Sequence, residues 1–175
     1  MADIAANLPA NVLSGAVCLG GVPWIGPVAP KIASPELLAA LGGLLEEKDV
    51  LASARASLVF SDLLFNDPKA IDWDIRCKWN GMATFQLPIH RQLLFGRQHD
   101  PTKLFELGAS NFPMLVVHGR NDKHLQVEPV VSEMKPVFKN LEVHIIEKGG
   151  SHAVHLENES EVMKCILAFA RKVHV

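Results

Sequence analysis

Two loops near the C-terminus carry ionisable side chains of the types that enzymes use for proton transfer. Residues 119–122 (GRND) follow an apolar run at 114–117, and residues 149–152 (GGSH) follow an alternating run at 141–146. Each run predicts a strand, and open α/β sheets place their chemistry beyond the carboxyl ends of their strands. Asp122 and His152, placed there, would supply two of the three groups of a hydrolytic triad.

Asp122 has two interpretations. As a triad acid it would accept the imidazole N–H, fix the histidine tautomer and stabilise the imidazolium as it forms. As a turn residue it would cap the helix predicted to begin near Gln126, because Asn-Asp pairs favour turns. The spacing of the residues leaves both interpretations open.

His152 also has two interpretations. It would serve as general base, taking a proton from a nucleophile and returning it to the leaving group. Alternatively it is a loop histidine near the start of the final helix. The pairing with Asp122 at adjacent strand ends, in the order acid then histidine, favours a catalytic site.

A metal site is not supported by the histidine spacing. His152 and His155 form an H-x-x-H pair, and His118, His124 and His144 lie nearby in the sequence. The pair lacks the spacing of the H-E-x-x-H zinc motif, and neither a carboxylate nor a thiol completes a ligand set. We therefore expect neither a metal nor another cofactor.

The chain offers no obvious nucleophile. A serine hydrolase with this order of elements needs G-x-S-x-G, a tight turn that exposes the serine oxygen beside an oxyanion hole. None of the serines is flanked in that way: Ser14 falls within a predicted strand, Ser34 caps a helix and Ser151 precedes the histidine. A glycine-rich oxyanion loop is also missing.

Composition indicates a globular protein with a substantial core. The 175 residues are 49% hydrophobic with a net charge of −2, and the basic residues are scattered, so nucleic-acid binding is not expected. No apolar run approaches the ~18 residues of a membrane-spanning helix. Cys18, Cys77 and Cys165 are widely spaced and odd in number, which predicts buried reduced thiols. With no secretory signal evident at the start, we expect a cytoplasmic protein.

The periodicity predicts an α/β fold with about three parallel strands. Residues 12–20 are nearly all apolar, as in a strand buried on both faces, and further strands are predicted at 113–118 and 141–146. Helices are predicted at 126–137 and 159–172. Strand–helix–strand units of this length imply parallel strands with right-handed crossovers.

A helical block interrupts this pattern. Ser34 caps a helix with Pro35 at its first position, and further helices are predicted at 50–65, 72–81 and 88–95. We therefore predict an α/β core over 1–22 and 108–175, with a helical lid inserted over 23–107. Seven aromatic side chains either line an apolar pocket under the lid or form the lid's own core: Trp24, Phe60, Phe65, Trp73, Trp79, Phe85 and Phe95.

In this arrangement the chain resembles the C-terminal portion of an α/β-hydrolase-fold protein, of a serine hydrolase type common in fungal sequences. The matching segments are a helix after the nucleophile elbow (1–9), the next strand and lid entry (12–23), the lid (34–107), the acid loop (113–122) and the histidine loop (149–155). The resemblance implies Asp122 as acid and His152 as base, acting on esters, lactones, epoxides or similar small apolar molecules. The nucleophile elbow, the oxyanion hole and the first strands have no counterpart, as in a chain truncated before the elbow.

Two functions follow from this resemblance. One is a hydrolase-derived scaffold with little or no activity alone, which binds partners or a small apolar ligand under the lid. The other is a working hydrolase whose nucleophile comes from a partner or from water activated by Asp122 and His152. Because the strand at 12–20 would be left as an unpaired sheet edge, we also expect a homodimer formed through it.

Overall fold

The computed structural model describes residues 1–9 and 12–173, and within these ranges one parallel sheet has the strand order β1-β2-β3. The strands are β1 (Ala16–Leu19), β2 (Pro113–Gly119) and β3 (Asn140–Ile146). The helices are α1 (Ala2–Asn7), α2 (Ala29–Ile32), α3 (Pro35–Leu44), α4 (Val50–Asp62), α5 (Trp73–Thr84), α6 (Pro88–Phe95), α7 (Thr102–Ala109), α8 (Val127–Met134), α9 (Val154–Glu157) and α10 (Glu159–Val173). The predicted α/β class with parallel strands is confirmed.

The central strand β2 separates two apolar layers. Because successive side chains in a strand point to opposite faces, Met114 and Val116 face one layer while Leu115 and Val117 face the other. The first layer contains residues from α1, α7 and α8, and the second is closed by α9 and α10. Burial of β2 on both faces fixes the position of the loop that follows Gly119.

The first strand is shorter and less buried than its apolar sequence predicts. We predicted a strand over 12–20 buried on both faces, with residue 11 as its boundary. That residue lies outside the described ranges, and β1 covers only Ala16–Leu19, with Leu19 exposed. Gly20 ends the strand with a φ of +61°. Burial is incomplete because β1 pairs with β2 on one side, and the described residues place no strand on the other.

Six helices, α2 to α7, lie between β1 and β2, and residues 20–112 contain no strand beyond the isolated bridge Ala33–Leu125. The predicted start of α3 is confirmed, because the Ser34 hydroxyl accepts the amide of Leu37 at 2.9 Å. The short helix α2 and the separate helix α7 were not predicted individually. None of the described helices is long and apolar enough to cross a lipid bilayer.

The two helices predicted after β2 are both present, and one of them is shorter than predicted. Helix α10 begins at Glu159 as predicted. Helix α8 ends at Met134 rather than at residue 137, because Pro136 has no amide N–H with which to continue the helical ladder. The four-residue helix α9 in the histidine loop was not predicted.

The cysteines are less buried than predicted. Cys77 is exposed on α5, while Cys18 and Cys165 are half-buried free thiols. Burial raises the pKa of the Cys18 thiol to about 11, so this side chain is uncharged at neutral pH. Our interpretation of all three as buried thiols was therefore wrong for Cys77.

Candidate active site

The acid loop is a tight turn that begins where β2 ends. The side chain of Asp122 is only 1% exposed, and its Oδ1 atom accepts the amide N–H groups of His124 at 2.7 Å and Leu125 at 2.9 Å. These are the bonds of an aspartate that closes a turn on its own backbone. Oδ1 of Asp122 therefore closes a turn, but the expectation that it caps the next helix was wrong: the N-cap residue of α8 is Gln126, and no described side chain caps that helix.

The histidine loop lies directly against the acid loop. The amide of Arg120 donates to Ile146 O at 3.0 Å, and the amide of Asn121 donates to Gly150 O at 2.8 Å. A Cβ atom on Gly119 would lie 2.3 Å from Gly150 C, so the two backbones touch at a point where only glycine fits. Parallel pairing of β2 with β3 is what brings these two loops to the same edge of the sheet.

Asp122 and His152 meet across the two loops. Nδ1 of His152 lies 2.9 Å from Oδ2 of Asp122, the oxygen that takes no part in the turn. Since a carboxylate only accepts, Nδ1 carries the proton and donates it, which leaves the lone pair on Nε2. The structure thus brings together both residues that the sequence singled out, in the geometry that orients a histidine base.

The pKa of Asp122 is lowered from its usual value. Burial by itself would raise it, but the hydrogen bond and charge of His152, the amide of Leu125 and the charge of His118 together outweigh burial. The carboxylate is therefore ionised at neutral pH and can stabilise a proton on His152.

Two further histidines surround the pair, and in the sequence they were apparent only as unlikely metal ligands. His118, at the end of β2, is fully buried, with Nε2 3.6 Å from Asp122 Oδ2 and Nδ1 3.1 Å from Gly119 O. Burial lowers the pKa of His118, which favours its neutral form. The sequence signal that could have indicated this contact is the spacing of four residues between His118 and Asp122. The turn between them brings the Asp122 side chain back towards the end of the strand.

The second is His124, which stacks on His152 with ring centroids 4.7 Å apart. Its Nε2 lies 3.0 Å from the carbonyl oxygen of Phe60 in α4, so this nitrogen carries a proton and donates it. Burial, and then the charge of His152, lower the pKa of His124 to about 4. A neutral aromatic ring therefore forms one side of the site.

The helices between β1 and β2 are tied to the histidine loop by hydrogen bonds. The amide of Ala153 donates to Leu64 O at 2.9 Å, and the amide of Asn66 donates to the Glu157 carboxylate at 3.0 Å. The Ser151 hydroxyl also donates to Glu157, and it accepts the amide of Ala153 at 3.1 Å. Ser151 is therefore fully engaged in positioning the loop.

No nucleophile is paired with the histidine within residues 1–9 and 12–173. Within these ranges the His152 ring makes one hydrogen bond, the one to Asp122. Nε2 of this ring bonds to no described serine, cysteine or threonine. The same ranges contain no group of three histidine, cysteine, aspartate or glutamate residues arranged to hold a metal ion. The side chain of His155 is exposed, whereas that of Asp122 is buried.

A cavity of about 540 Å³ adjoins the pair. It is lined by the segment after β1, by α2 and α3, and by side chains of α4 and α6, with His124 and His152 at one side. Among the described residues that line it, none is Lys, Arg, Asp or Glu. The cavity therefore suits a small uncharged molecule placed against the histidine.

The seven aromatic side chains singled out in the sequence lie in different parts of the structure. Trp24, Phe60 and Phe95 line the cavity, whereas Phe65 and Trp79 pack against each other at a centroid distance of 5.4 Å. Two others face solvent, because Trp73 is 72% exposed and Phe85 is 87% exposed. Neither proposed role, pocket lining or lid core, holds for those two.

Comparison with known proteins identifies the fold. No family model matches the sequence, and no curated protein sequence matches it. Among solved structures, a Burkholderia cenocepacia protein assigned as an aryl esterase superposes with a TM-score of 0.79 at 17% identity, covering 98% of this chain and 59% of that one. The esterase RhEst1 from Rhodococcus sp. ECU1013 gives 0.79 at 20% identity, with 98% and 61% covered. The esterase EaEST from Exiguobacterium antarcticum gives 0.68 at 11% identity, with 97% and 62% covered.

These similarities establish a partial α/β-hydrolase fold for this chain. The chain spans about three fifths of the length of the structures it resembles. At such low identity the likeness extends to the fold and not to the reaction.

Proposed function

We propose that these 175 residues form a hydrolase-like scaffold that binds a small apolar molecule in the cavity beside His152 and has little hydrolase activity by itself. The observation that supports this proposal is the hydrogen bonding of the two ring nitrogens of His152. Its Nδ1 is bonded to Asp122, while its Nε2 is paired with no nucleophile within the described residues. The described residues supply a ligand cavity and an oriented histidine, and none of them pairs with Nε2 of that histidine as a nucleophile.

The chemistry of the pair explains both parts of the proposal. In a serine hydrolase the Asp–His pair removes a proton from the serine, and the serine forms the bond to the acyl carbon. Without that serine the base can only activate water, and the sequence contains no glycine-rich oxyanion loop to stabilise the charge that develops on the substrate. We therefore expect slow hydrolysis at most.

Binding can be tested with an apolar dye whose fluorescence rises on transfer from water. Phe95 lines the cavity and is 37% exposed, so Phe95→Arg introduces a cation into the lining at a position that tolerates solvent. We expect the substitution to weaken dye binding at least tenfold. Phe85→Arg is the matched control, because Phe85 is 87% exposed and does not line the cavity. Equal effects of the two substitutions would refute the proposed site.

The alternative function is a working hydrolase whose nucleophile comes from a partner or from water. The observation that favours it is the intact Asp122–His152 geometry, with a buried and ionised acid. Hydrolysis of short aryl esters separates the two proposals. Turnover that is abolished by both His152→Ala and Asp122→Asn supports the hydrolase, whereas equal rates in the native chain and both variants support the scaffold.

We also propose that two copies of the chain associate through β1. Gly20 N donates to Val117 O at 2.9 Å, so the amides of alternate residues, including Cys18, face β2 while those of Val17 and Leu19 face the open edge. Exposed edge amides of an apolar strand favour pairing with a second strand. A two-fold dimer is the simplest closed arrangement.

The test of this association is Val17→Pro, which removes one amide donor from the open edge and none from the pairing with β2. Light scattering is expected to give a dimer for the native chain and a monomer for the variant. A monomeric native chain at micromolar concentration would refute the proposal.

The fungal type of the fold and a cytoplasmic location both stay predictions.

A further inference from the structure

We infer that the preferred ligand of this cavity is a phenol, an uncharged aromatic molecule with one weakly acidic hydroxyl that donates to Nε2 of His152. This inference rests on the proposed function, because it names the ligand class of the same cavity. It follows from the tautomer of His152, the aromatic lining and the absence of charge from that lining.

The first step is that His152 presents an acceptor. Asp122 Oδ2 accepts the Nδ1 proton at 2.9 Å, so the lone pair of the ring resides on Nε2. That nitrogen bonds to nothing within the described residues, and the side chain is 26% exposed at the side of the cavity. An oriented acceptor beside an apolar space selects a ligand that carries a donor, since an unmet polar group is costly to desolvate.

The second step is that the lining favours an aromatic ring. Trp24, Phe60 and Phe95 contribute to it, and His124 stacks between Phe60 and His152 with centroid distances of 4.5 and 4.7 Å. Aromatic pairs add to the stabilisation given by burial when their rings are offset or tilted. The volume of about 540 Å³ holds a ring with an alkyl substituent.

The third step distinguishes a phenol from a carboxylic acid. A carboxylic acid is ionised at neutral pH, and the part of the cavity lining that the structure describes offers no lysine or arginine to compensate that charge. His124 offers no compensation either, because its pKa of about 4 keeps it neutral. The charge of a proton on His152 would already be balanced by the Asp122 carboxylate to which this ring is bonded. A phenol stays uncharged at neutral pH and still donates a strong hydrogen bond.

The experiment compares four ligands of matched shape by calorimetric titration of the native chain: para-butylphenol, its methyl ether, butylbenzene and para-butylbenzoate. We expect the phenol to bind about tenfold more tightly than the ether or the hydrocarbon, and the benzoate to bind most weakly. His152→Phe keeps a ring in the cavity and is expected to abolish the preference for the phenol. His144→Phe is the control, since His144 lies on β3 and pairs with Glu161.

The outcomes separate this inference from the proposed function. Equal affinity for phenol, ether and hydrocarbon would overturn the inference while leaving apolar ligand binding intact. Tightest binding of the benzoate would overturn it in favour of an anion site. Failure of all four ligands to bind would overturn both the inference and the proposed function. Because the ligand comparison uses the native chain, it stays decisive even if His152→Phe does not fold.

Discussion

Oδ2 of Asp122 lies 2.9 Å from Nδ1 of His152, although 30 positions separate the two residues in the chain. The other oxygen of the same carboxylate closes the acid loop by accepting two backbone amides, those of His124 and Leu125. One side chain therefore folds its own loop and orients the base on the neighbouring loop. One oxygen thus makes the turn that the second interpretation expected, and the other makes the bond to His152 that the first interpretation requires; the catalytic role of that bond stays a prediction.

This division predicts different outcomes for two substitutions of Asp122. Asparagine keeps an oxygen for the amides of His124 and Leu125, so we expect Asp122→Asn to lower the free energy of unfolding by about 1 kcal/mol. Alanine leaves both buried amides unpaired, and Asp122→Ala should cost about 2 to 4 kcal/mol. Urea denaturation of the two variants measures the difference.

Proton NMR of the same variants tests the second role. The native chain should show a downfield signal from the Nδ1 proton of His152, because a charged acceptor holds that proton. Both variants should lose the signal. Equal stability of the asparagine and alanine variants would contradict a role for Oδ1 in the turn.

The lowered pKa of His124 predicts sensitivity to acid. The unfolded chain takes up a proton on this imidazole below about pH 6.5, whereas the folded chain resists it until about pH 4. The free energy of unfolding therefore falls as the pH drops from 6.5 to 4, by up to about 3 kcal/mol from this group. The lowered pKa of His118 acts in the same direction.

Denaturation curves at several pH values between 7 and 4 check this expectation. His124→Gln cannot take up the proton and should show a shallower loss of stability on acidification than the native chain. His90→Gln removes an exposed histidine and should keep the native acid dependence. Parallel pH curves for the native chain and His124→Gln would show that His124 is not the group responsible.

The sequence predicted the sheet and the meeting of Asp122 with His152 because both depend on local patterns. The strand at 113–118 and the one at 141–146 appear in the structure as β2 and β3, since an apolar run and a short-period alternation each restrict the backbone strongly. Asp122 and His152 were placed by the rule that parallel strands bring their carboxyl-terminal loops together.

The surroundings of the pair could not be predicted in this way. The approach of His118 to Asp122 depends on how the turn after Gly119 folds back, and the stacking of His124 on His152 depends on contact with Phe60 of a distant helix. Likewise, nothing in the apolar run at 12–20 shows that its first half would stay outside the sheet. These features follow from tertiary packing, which overrides local preference.

The contact between the two loops predicts that glycine is required at position 119 and not at 149. A Cβ on Gly119 would lie 2.3 Å from both Gly150 C and Ser151 O, a backbone clash that only separation of the loops relieves. Gly149 has a φ of +66° but open space around it, so a side chain there causes only local backbone strain.

We therefore expect Gly119→Ala to cost more than about 3 kcal/mol and Gly149→Ala about 1 kcal/mol. Thermal denaturation ranks the two variants. The downfield Nδ1 signal of His152 should disappear in Gly119→Ala and persist in Gly149→Ala. A loss of stability that is larger for the second variant would show that the loops do not meet as described.

A buried cation holds the helical segment together. Arg91 on α6 is 7% exposed, and its guanidinium donates to the carbonyls of Leu44 at 3.2 Å and Ala83 at 2.8 Å. These carbonyls lie at the C-terminal ends of α3 and α5, where a positive charge also meets the negative end of each helix dipole. The hydroxyl of Ser53 in α4 accepts a longer bond at 3.4 Å, so one side chain joins four helices.

Removing this guanidinium should loosen the helices that line the cavity. We expect Arg91→Met to lower the free energy of unfolding by about 2 kcal/mol, because the methionine side chain fills similar space but removes the donor to the buried Leu44 carbonyl and leaves the Ala83 carbonyl with the amide of Gln86 alone. Arg91→Lys should recover part of the loss, since one ammonium cannot match the planar guanidinium that reaches both carbonyls.

Arg97→Met is the control, because Arg97 forms an exposed ion pair with Asp3 and such pairs contribute little. Hydrogen exchange should accelerate in α3 and α5 of Arg91→Met before it changes in β2, and uniform acceleration across both regions would contradict a local role for Arg91.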